Sequence, residues 1–378
     1  MTFAKSCFWL SASALAYTHV GYPLLLRGLV AWRGRREAPA PPLVEGDAPS
    51  VSLIVAAHDE EAVIERRVRN VFELEYPRER LEVVVASDGS TDRTVELAEH
   101  AGADLVLDLP RRGKVAALNT AVERARGEVL AFSDANATWE PDALRPLVER
   151  LRDPRVGYVC GQVRFETPEG DNQEGLYWRY EMWVRELESR LAGVTAGNGA
   201  INAVAREAFI PLPPERGQDI SFPFLMVKRG WLAVYEPAAR ARERMAATIG
   251  DEFARKRRMM AGAWGTMLSG GMLSPSGYGP LYALEIVSHR LLRYASPLLH
   301  LALFGANLAL LGEGPVYALA LALQIGLLVA AALGAQAGAR PLRVARYYVA
   351  VTTASAAGLW DFARGGVPLV WEKAEGTR

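Results

Sequence analysis

The stretch L-E-V-V-V-A-S-D-G-S-T-D, Leu81 to Asp92, decides how this chain is read. Its opening run of apolar residues is short and rich in Val, the mark of a strand buried inside a sheet. Gly, Ser, Thr and Asp then break the run. A polar loop at the carboxyl end of a parallel strand is where α/β sheets place their ligands, which makes Asp88 a candidate for ligand binding. The residues alone leave a second reading open, an aspartate in a turn that caps the next helix.

Outward from this stretch, strand-like and helix-like runs alternate. V-S-L-I-V-A-A (Val51 to Ala57) precedes a charged helical pattern from Glu60 to Phe72. After Asp88 a helix is expected to open at Thr91 or Asp92. A-D-L-V-L (Ala103 to Leu107), a helix from about Gly113 to Arg126, and E-V-L-A-F-S (Glu128 to Ser133) follow. Such alternation predicts an α/β fold, a parallel sheet with helices on both faces. A second acidic loop, S-D-A-N, then opens at Asp134 on the same sheet edge as Asp88, so the two carboxylates can converge. A-A-H-D-E-E stands where a dinucleotide-binding domain would carry Gly-x-Gly-x-x-Gly. G-K-V at Gly113 lacks the hydroxyl residue of a phosphate-binding loop. Both of those functions are excluded.

Lys and Arg total 43 of the 378 residues and Asp and Glu also total 43, so the basic excess of a nucleic-acid binder is missing. Cys7 and Cys160 are too few for a disulfide framework or a cysteine metal site. Hydrophobicity is concentrated at the two ends. Ser6 to Leu26 contains no charged residue, and about 20 such residues span a bilayer as a helix. Arg27, Arg33, Arg35 and Arg36 follow it and place the next segment in the cytoplasm. Tyr294 to Gly312 and Pro315 to Ala339 are likewise uncharged and read as a helical hairpin, with Tyr347 to Trp360 as a weaker span. Leu281 to Arg293 has the spacing of a helix lying along a membrane surface; a buried soluble helix is the other reading.

Six motifs in a fixed order carry a resemblance: V-A-A-H-D-E-E (Val55 to Glu61), A-S-D-G-S-T-D (Ala86 to Asp92) and R-G-K-V-A-A-L-N (Arg112 to Asn119), then F-S-D-A-N (Phe132 to Asn136), G-Q-D-I (Gly217 to Ile220) and R-K-R-R-M (Arg255 to Met259). Together they resemble the membrane-bound branch of the family 2 glycosyltransferases, which includes cellulose, hyaluronan and poly-N-acetylglucosamine synthases. The resemblance covers Pro49 to about Trp264 and the flanking spans. It implies a GT-A (Rossmann-like) domain flanked by transmembrane helices, a nucleotide-sugar donor, usually a UDP-sugar, and a divalent cation, Mg²⁺ or Mn²⁺. The chain then divides into an N-terminal anchor (1–30), a Pro-rich linker (31–48), a cytosolic glycosyltransferase domain (49–245), amphipathic interface helices (246–293), C-terminal transmembrane helices (294–362) and a tail (363–378). It would be a multi-pass cell-membrane protein with a cytoplasmic catalytic domain, the side of the C-terminus being left open.

By the same resemblance Ala57, Asp59, Glu60 and Asp88 line the nucleoside pocket, and Lys114 lies near the diphosphate as a flexible point charge. Asp134 and Asn136 hold the metal; Asn136 replaces a second Asp and offers an oxygen without charge. Asp219 is the catalytic base and Gln218 its substrate-side neighbour, where the family usually has an acidic residue. As plain sequence, Asp219 could also cap the following helix. Gly197, Asn198 and Gly199 would let backbone approach the acceptor. Arg258 takes the place of the arginine that stabilises the leaving group, but the Gln and Trp that flank that arginine in processive synthases are absent, and the basic run could also lie on anionic lipid. The expected activity is transfer, with inversion, of a sugar to a lipid-linked or polysaccharide acceptor during cell-surface glycan synthesis. A processive synthase and a non-catalytic nucleotide-sugar-binding subunit are the alternatives. Membrane lipid is an expected partner, and a homo-oligomer or other glycan-assembly partners are compatible.

Overall fold

The computed structural model describes residues 1–33, 43, 45–166, 175–244, 249–334 and 339–365. Arg35, Arg36, most of the linker and most of the C-terminal tail lie outside the described residues.

Four strands, β1 (Val51–Ala57), β2 (Leu81–Asp88), β3 (Leu105–Leu109) and β4 (Val129–Asp134), pair in parallel in the order β3-β2-β1-β4. Every residue of β1 is buried, because both faces of the sheet are covered. Val51, Leu53, Val55 and Ala57 share one core with residues of α3 (Ile64–Phe72), α4 (Thr94–His100) and α6 (Leu144–Leu151). Ile54 and Ala56 point the opposite way, toward α5 (Lys114–Arg124) and α8 (Gln218–Lys228). The order of β1 and β4 creates the switch point: β1 leads outward to β2 and β3 on one side, and β4 lies on the other. Ala56 pairs with Asp134 and Ala57 with Ser87, so Ala57, Asp88 and Asp134 leave the sheet on one edge.

Beyond β4 the sheet is mixed. It continues through β7 (Asn202–Ala205), β6 (Val156–Glu166), β8 (Leu232–Arg244) and β5 (Thr138–Trp139). β7 runs antiparallel to both β4 and β6, while β8 runs parallel to β6. This half goes beyond the parallel sheet expected from the first four strands. β7 is a four-residue strand in a glycine-rich stretch, too short to show a period.

Helix starts are later than the patterns predict. α3 opens at Ile64 rather than Glu60, because Asp59 takes a left-handed φ of 52° and the Glu60 N–H donates to Thr94 Oγ1 at 2.7 Å. α4 opens at Thr94, whose N–H donates to Asp92 Oδ1 at 3.0 Å. β3 slips two residues, to Leu105–Leu109.

At the N-terminus, α1 (Thr2–Ala16) and α2 (Tyr22–Arg33) are joined by a π-helical turn, Tyr17–Gly21, into one helical rod. After α7 (Gly175–Leu191), the end of the chain adds α9 (Ile249–Leu268), α10 (Pro280–Glu285), α11 (Leu292–Tyr294), α12 (Ser296–Ala309), α13 (Pro315–Leu333) and α14 (Arg340–Gly365). Among the described residues one helix, α13, is long and apolar enough to cross a membrane. α12 is apolar but has 14 residues. Tyr347 to Trp360 is the middle of the 26-residue α14, which packs on α9 where Gly358 meets Met260. The 281–293 segment also differs from a surface helix. Tyr282, Glu285, Ile286, Ser288, His289 and Arg290 are all buried, and His289 and Arg293 turn inward to Glu181 and Glu188 on α7.

Candidate active site

Three loops close the carboxyl edge of the first strands. Asp59 Oδ1 accepts from the Thr91 N–H at 2.7 Å, and the Asp59 N–H donates to Ser90 Oγ at 3.1 Å. The Thr91 N–H holds the Asp59 carboxyl below its usual range. Glu60 is buried beside it. Asp88 is buried at the end of β2, and its Oδ1 accepts from the N–H groups of Arg112 (2.7 Å) and Gly113 (3.0 Å). The N-cap of α4 is Arg93, and Asp92, not Asp88, accepts from the first N–H of that helix. Asp88 thus ties down the loop leading into α5, and with it the position of Lys114.

Lys114 is the first residue of α5, and its Nζ is bonded to Asp134 Oδ1 at the end of β4. Asp219 reaches the same point from the first turn of α8. The N-cap of that helix is Gly217 and no side chain caps it, so the capping reading of Asp219 is not what the structure has. The meeting place is marked by Gly199. A Cβ there would lie 3.0 Å from Asp134 Oδ2, 3.0 Å from Lys114 Nζ and 3.3 Å from Asp219 Oδ1. Only a residue without a side chain leaves this space open. Residues far apart in the chain, from β4, α5 and α8, therefore converge around one glycine.

The charges there are unequal. Burial raises the Asp219 carboxyl; Lys114 offsets part of this and Asp134 adds to it. Glu243, on β8, is pushed up to about 7, first by burial and then by Asp134, against the opposing pull of Arg255. Burial alone would lower Lys114, but Asp134, Asp219 and Glu243 outweigh it and hold the ammonium above the ordinary lysine range. Behind Asp134, Arg67 is buried on α3, donating from Nε to Ser133 Oγ (3.1 Å) and from Nη1 to Asn70 Oδ1 (2.6 Å). Its guanidinium lies 5.3 Å from the Trp139 ring, and Trp139 Nε1 donates to the Ala200 carbonyl at 2.8 Å. That network braces the end of β4 against the Gly199 loop.

The remaining expected residues divide. The Gly197 N–H donates to the Asp219 carbonyl at 2.7 Å, and a Cβ at Gly197 would overlap the Tyr158 hydroxyl. Asn198 spends its side chain inside the fold, donating to the Gly161 carbonyl (2.8 Å) and accepting from the Ile201 N–H (2.8 Å). Gln218 is buried and its Nε2 makes no hydrogen bond. Asn136 sits half-buried in the turn after β4. Arg258 is exposed on α9, whereas Arg255 on the same helix is the arginine that acts on Glu243. Trp264, just beyond that basic run, is buried and donates from Nε1 to the Ser355 carbonyl at 3.1 Å.

Sequence reading missed Glu243 and Arg67 altogether, and neither stands in a local pattern that could have exposed it. Among the described residues no group of three or more His, Cys, Asp or Glu converges as a closed metal cage. Asp134 and Asn136 would supply two oxygens, with a ligand's diphosphate completing the shell. The excess of carboxylate over ammonium at Gly199 suits a cation there.

The sequence profile described as Glycosyl transferase family 2 matches residues 52–210. A beta-monoglucosyldiacylglycerol synthase of Nostoc sp. is 33% identical over 180 residues, 44% of this chain and 37% of that protein. A poly-beta-1,6-N-acetyl-D-glucosamine synthase of Staphylococcus aureus is 25% identical over 201 residues, 50% of this chain and 48% of that protein. The chain thus spans less than half the length of these relatives. Among solved structures, a mannosyltransferase from Pyrobaculum calidifontis, determined with GDP-Man and Mn²⁺, superposes with a TM-score of 0.71 at 24% identity over 94% of this chain and 99% of that one. That likeness is one of fold. The segment from Ser52 to Ile210, less than half of the chain, is thus similar to glycosyl transferase family 2.

Proposed function

We propose that the protein is a membrane-associated inverting glycosyltransferase that moves a sugar from a nucleotide-sugar donor to a lipid-linked or glycan acceptor. The observation that carries this reading is the meeting of Asp134, Lys114 and Asp219 around Gly199. Asp219 takes the proton from the acceptor hydroxyl as its oxygen attacks the anomeric carbon. The sugar–phosphate bond breaks with its electrons leaving on the nucleoside diphosphate. A single base on the acceptor side gives inversion. Lys114 meets the negative charge that grows on the departing diphosphate, and Arg255 or Arg258 on α9 adds to it. A divalent cation held by Asp134 and Asn136 would neutralise the same charge.

The membrane part of the reading rests on exposed apolar side chains. Phe3, Leu10 and Trp32 on the N-terminal rod, and Leu301, Leu319 and Leu323 on α12 and α13, are all open to the surroundings. At about 1.5 Å per residue the 19 residues of α13 reach about 28 Å, close to the hydrocarbon thickness. A multi-pass arrangement uses the N-terminal rod and α12 as further spans, with the α/β domain on the cytoplasmic side. Met259, exposed on α9 where processive synthases carry a Trp, supports single addition over processive synthesis.

The test is nucleoside diphosphate release from a panel of UDP- and GDP-sugars with Mg²⁺ or Mn²⁺, followed by sizing of labelled products. One added sugar on a lipid extract is the expected product. A long polymer would replace single addition by processive synthesis, and donor binding without turnover on any acceptor would leave a binding subunit.

A further inference from the structure

The N-terminal rod reaches the candidate active site through a chain of buried hydrogen bonds. Tyr22 opens α2, and together with Leu26 and Val30 it packs against Val184, Leu187 and Leu191 of α7. The Tyr22 hydroxyl donates to Glu188 Oε1 at 2.7 Å. Thr195 Oγ1 donates to the other oxygen of that carboxylate, Oε2, at 3.0 Å and accepts from Arg290 Nε at 2.8 Å. Tyr22, Glu188 and Thr195 are all buried, so these bonds form in a low dielectric without competition from water. Two residues beyond Thr195, the Gly197 N–H donates to the Asp219 carbonyl at 2.7 Å. Gly199 then leaves open the space where Asp134, Lys114 and Asp219 meet.

The loop itself, G-V-T-A-G-N-G (Gly193 to Gly199), is rich in glycine, whose backbone favours no single conformation. Its path is therefore set by the bonds that its other residues make. The Val194 N–H fixes its start to the sheet, donating to the Ala233 carbonyl on β8 at 2.8 Å. Thr195 fixes the next residue to Glu188, and Tyr22 fixes Glu188 to the rod. We propose that Tyr22 is a positioning residue for sugar transfer, its hydroxyl acting through Glu188 and Thr195 on the loop that holds Asp219. This role deepens the glycosyltransferase reading and rests on it for the word transfer. It gives the N-terminal rod a part in turnover as well as in anchoring. Loss of the Tyr22 hydroxyl leaves Glu188 with His289 and Thr195, so the fold survives while the carboxylate can shift. A shift of about 1 Å made far from the reacting atoms can lower a rate on the order of 100-fold.

The experiment uses the full chain in detergent, with Tyr22→Phe and Thr195→Val, each of which removes one hydroxyl and keeps the shape of the side chain. Nucleoside diphosphate release, donor affinity by calorimetry and hydrogen exchange of the 193–199 amides are measured. Each variant is expected to lower kcat about tenfold with donor affinity held within about twofold. Exchange at the Gly197 amide should speed up in both. The melting temperature should fall by only a few degrees, the loss of one hydrogen bond. Thr195→Ser, which keeps the hydroxyl, should retain the parent kcat. Because Tyr22 acts through Thr195, the double variant should be no slower than Thr195→Val alone. Losses that multiply in the double variant would overturn the proposal, and so would an unchanged kcat in Tyr22→Phe. A fall in kcat matched by falls in donor affinity and melting temperature would reduce Tyr22 to a structural contact. If the parent releases nucleoside diphosphate from no donor, the transferase reading fails. The exchange of the Gly197 amide then still decides whether Tyr22 sets the loop, and unaltered exchange in Tyr22→Phe would refute it.

Discussion

Two buried charge clusters, on either side of the Thr195–Gly199 loop, behave in opposite ways. In the first, α7 carries Glu181 and Glu188 against His289, Arg290 and Arg293. Glu188 Oε1 is 2.7 Å from His289 Nδ1 and accepts from the Tyr22 hydroxyl at 2.7 Å, while Glu188 Oε2 accepts from Thr195 Oγ1 at 3.0 Å. Burial would raise both carboxyls, but Arg293 and His289 around Glu181, and His289 and Arg290 around Glu188, hold them below their usual range. In the second, Asp134, Asp219 and Glu243 surround Lys114, and there Asp219 and Glu243 are raised. The first cluster is balanced and clasps the N-terminal rod to the α/β domain. The second has more carboxylate than cation, the arrangement expected of a site whose groups must change protonation or meet a charged ligand.

Breaking each cluster should therefore give a different phenotype. Asp219→Asn is expected to lower transfer about 10²- to 10⁴-fold while donor affinity holds, read by nucleoside diphosphate release and calorimetry. Because the native carboxyl lies above its unfolded value, ionised Asp219 costs stability as pH rises through its native value. The asparagine variant should thus melt no lower than the parent at neutral pH. A lower melting point would place Asp219 with the clasp instead. Glu188→Ala should do the reverse, destabilising by about 3–5 kcal/mol in denaturant unfolding, because it leaves buried cationic partners unpaired.

Gly199→Ala sharpens the contrast by touching only the open cluster. Its new methyl meets the ends of Lys114, Asp134 and Asp219, so the fold should persist while turnover falls by on the order of ten- to a hundredfold. Turnover should also rise with pH along an acid limb lying above 3.8, the ordinary aspartate value, and Lys114→Gln should move that limb to higher pH by removing the opposing cation. The smallest effect is expected from Arg257→Ala. Its ion pair with Asp361 joins α9 to α14 in solvent at 2.5 Å, where screening leaves little to lose, so the melting curve should barely move.

How much of this was legible follows from range. β1 matches its expected bounds, and the Asp88 and Asp134 loops leave the sheet together as the alternating runs required. Helix starts slipped because Asp59 and Asp92 bond across to neighbouring loops, contacts made over some 30 positions that no local pattern carries. Arg258 held the right place in the motif, yet α9 turns it outward and turns Arg255 toward Glu243.

The linear order of residues settled the α/β class, the chemical types at the strand ends and the apolar character of the flanking segments. Each of these depends on period and composition over a few neighbours. Only the folded chain decided that Asp88 would secure a loop, that Glu243 would join the carboxylates, and that His289 and Arg293 would turn inward to α7. Those outcomes depend on which side chains meet across the sheet and between distant helices, and on the burial that shifts their charges once they meet.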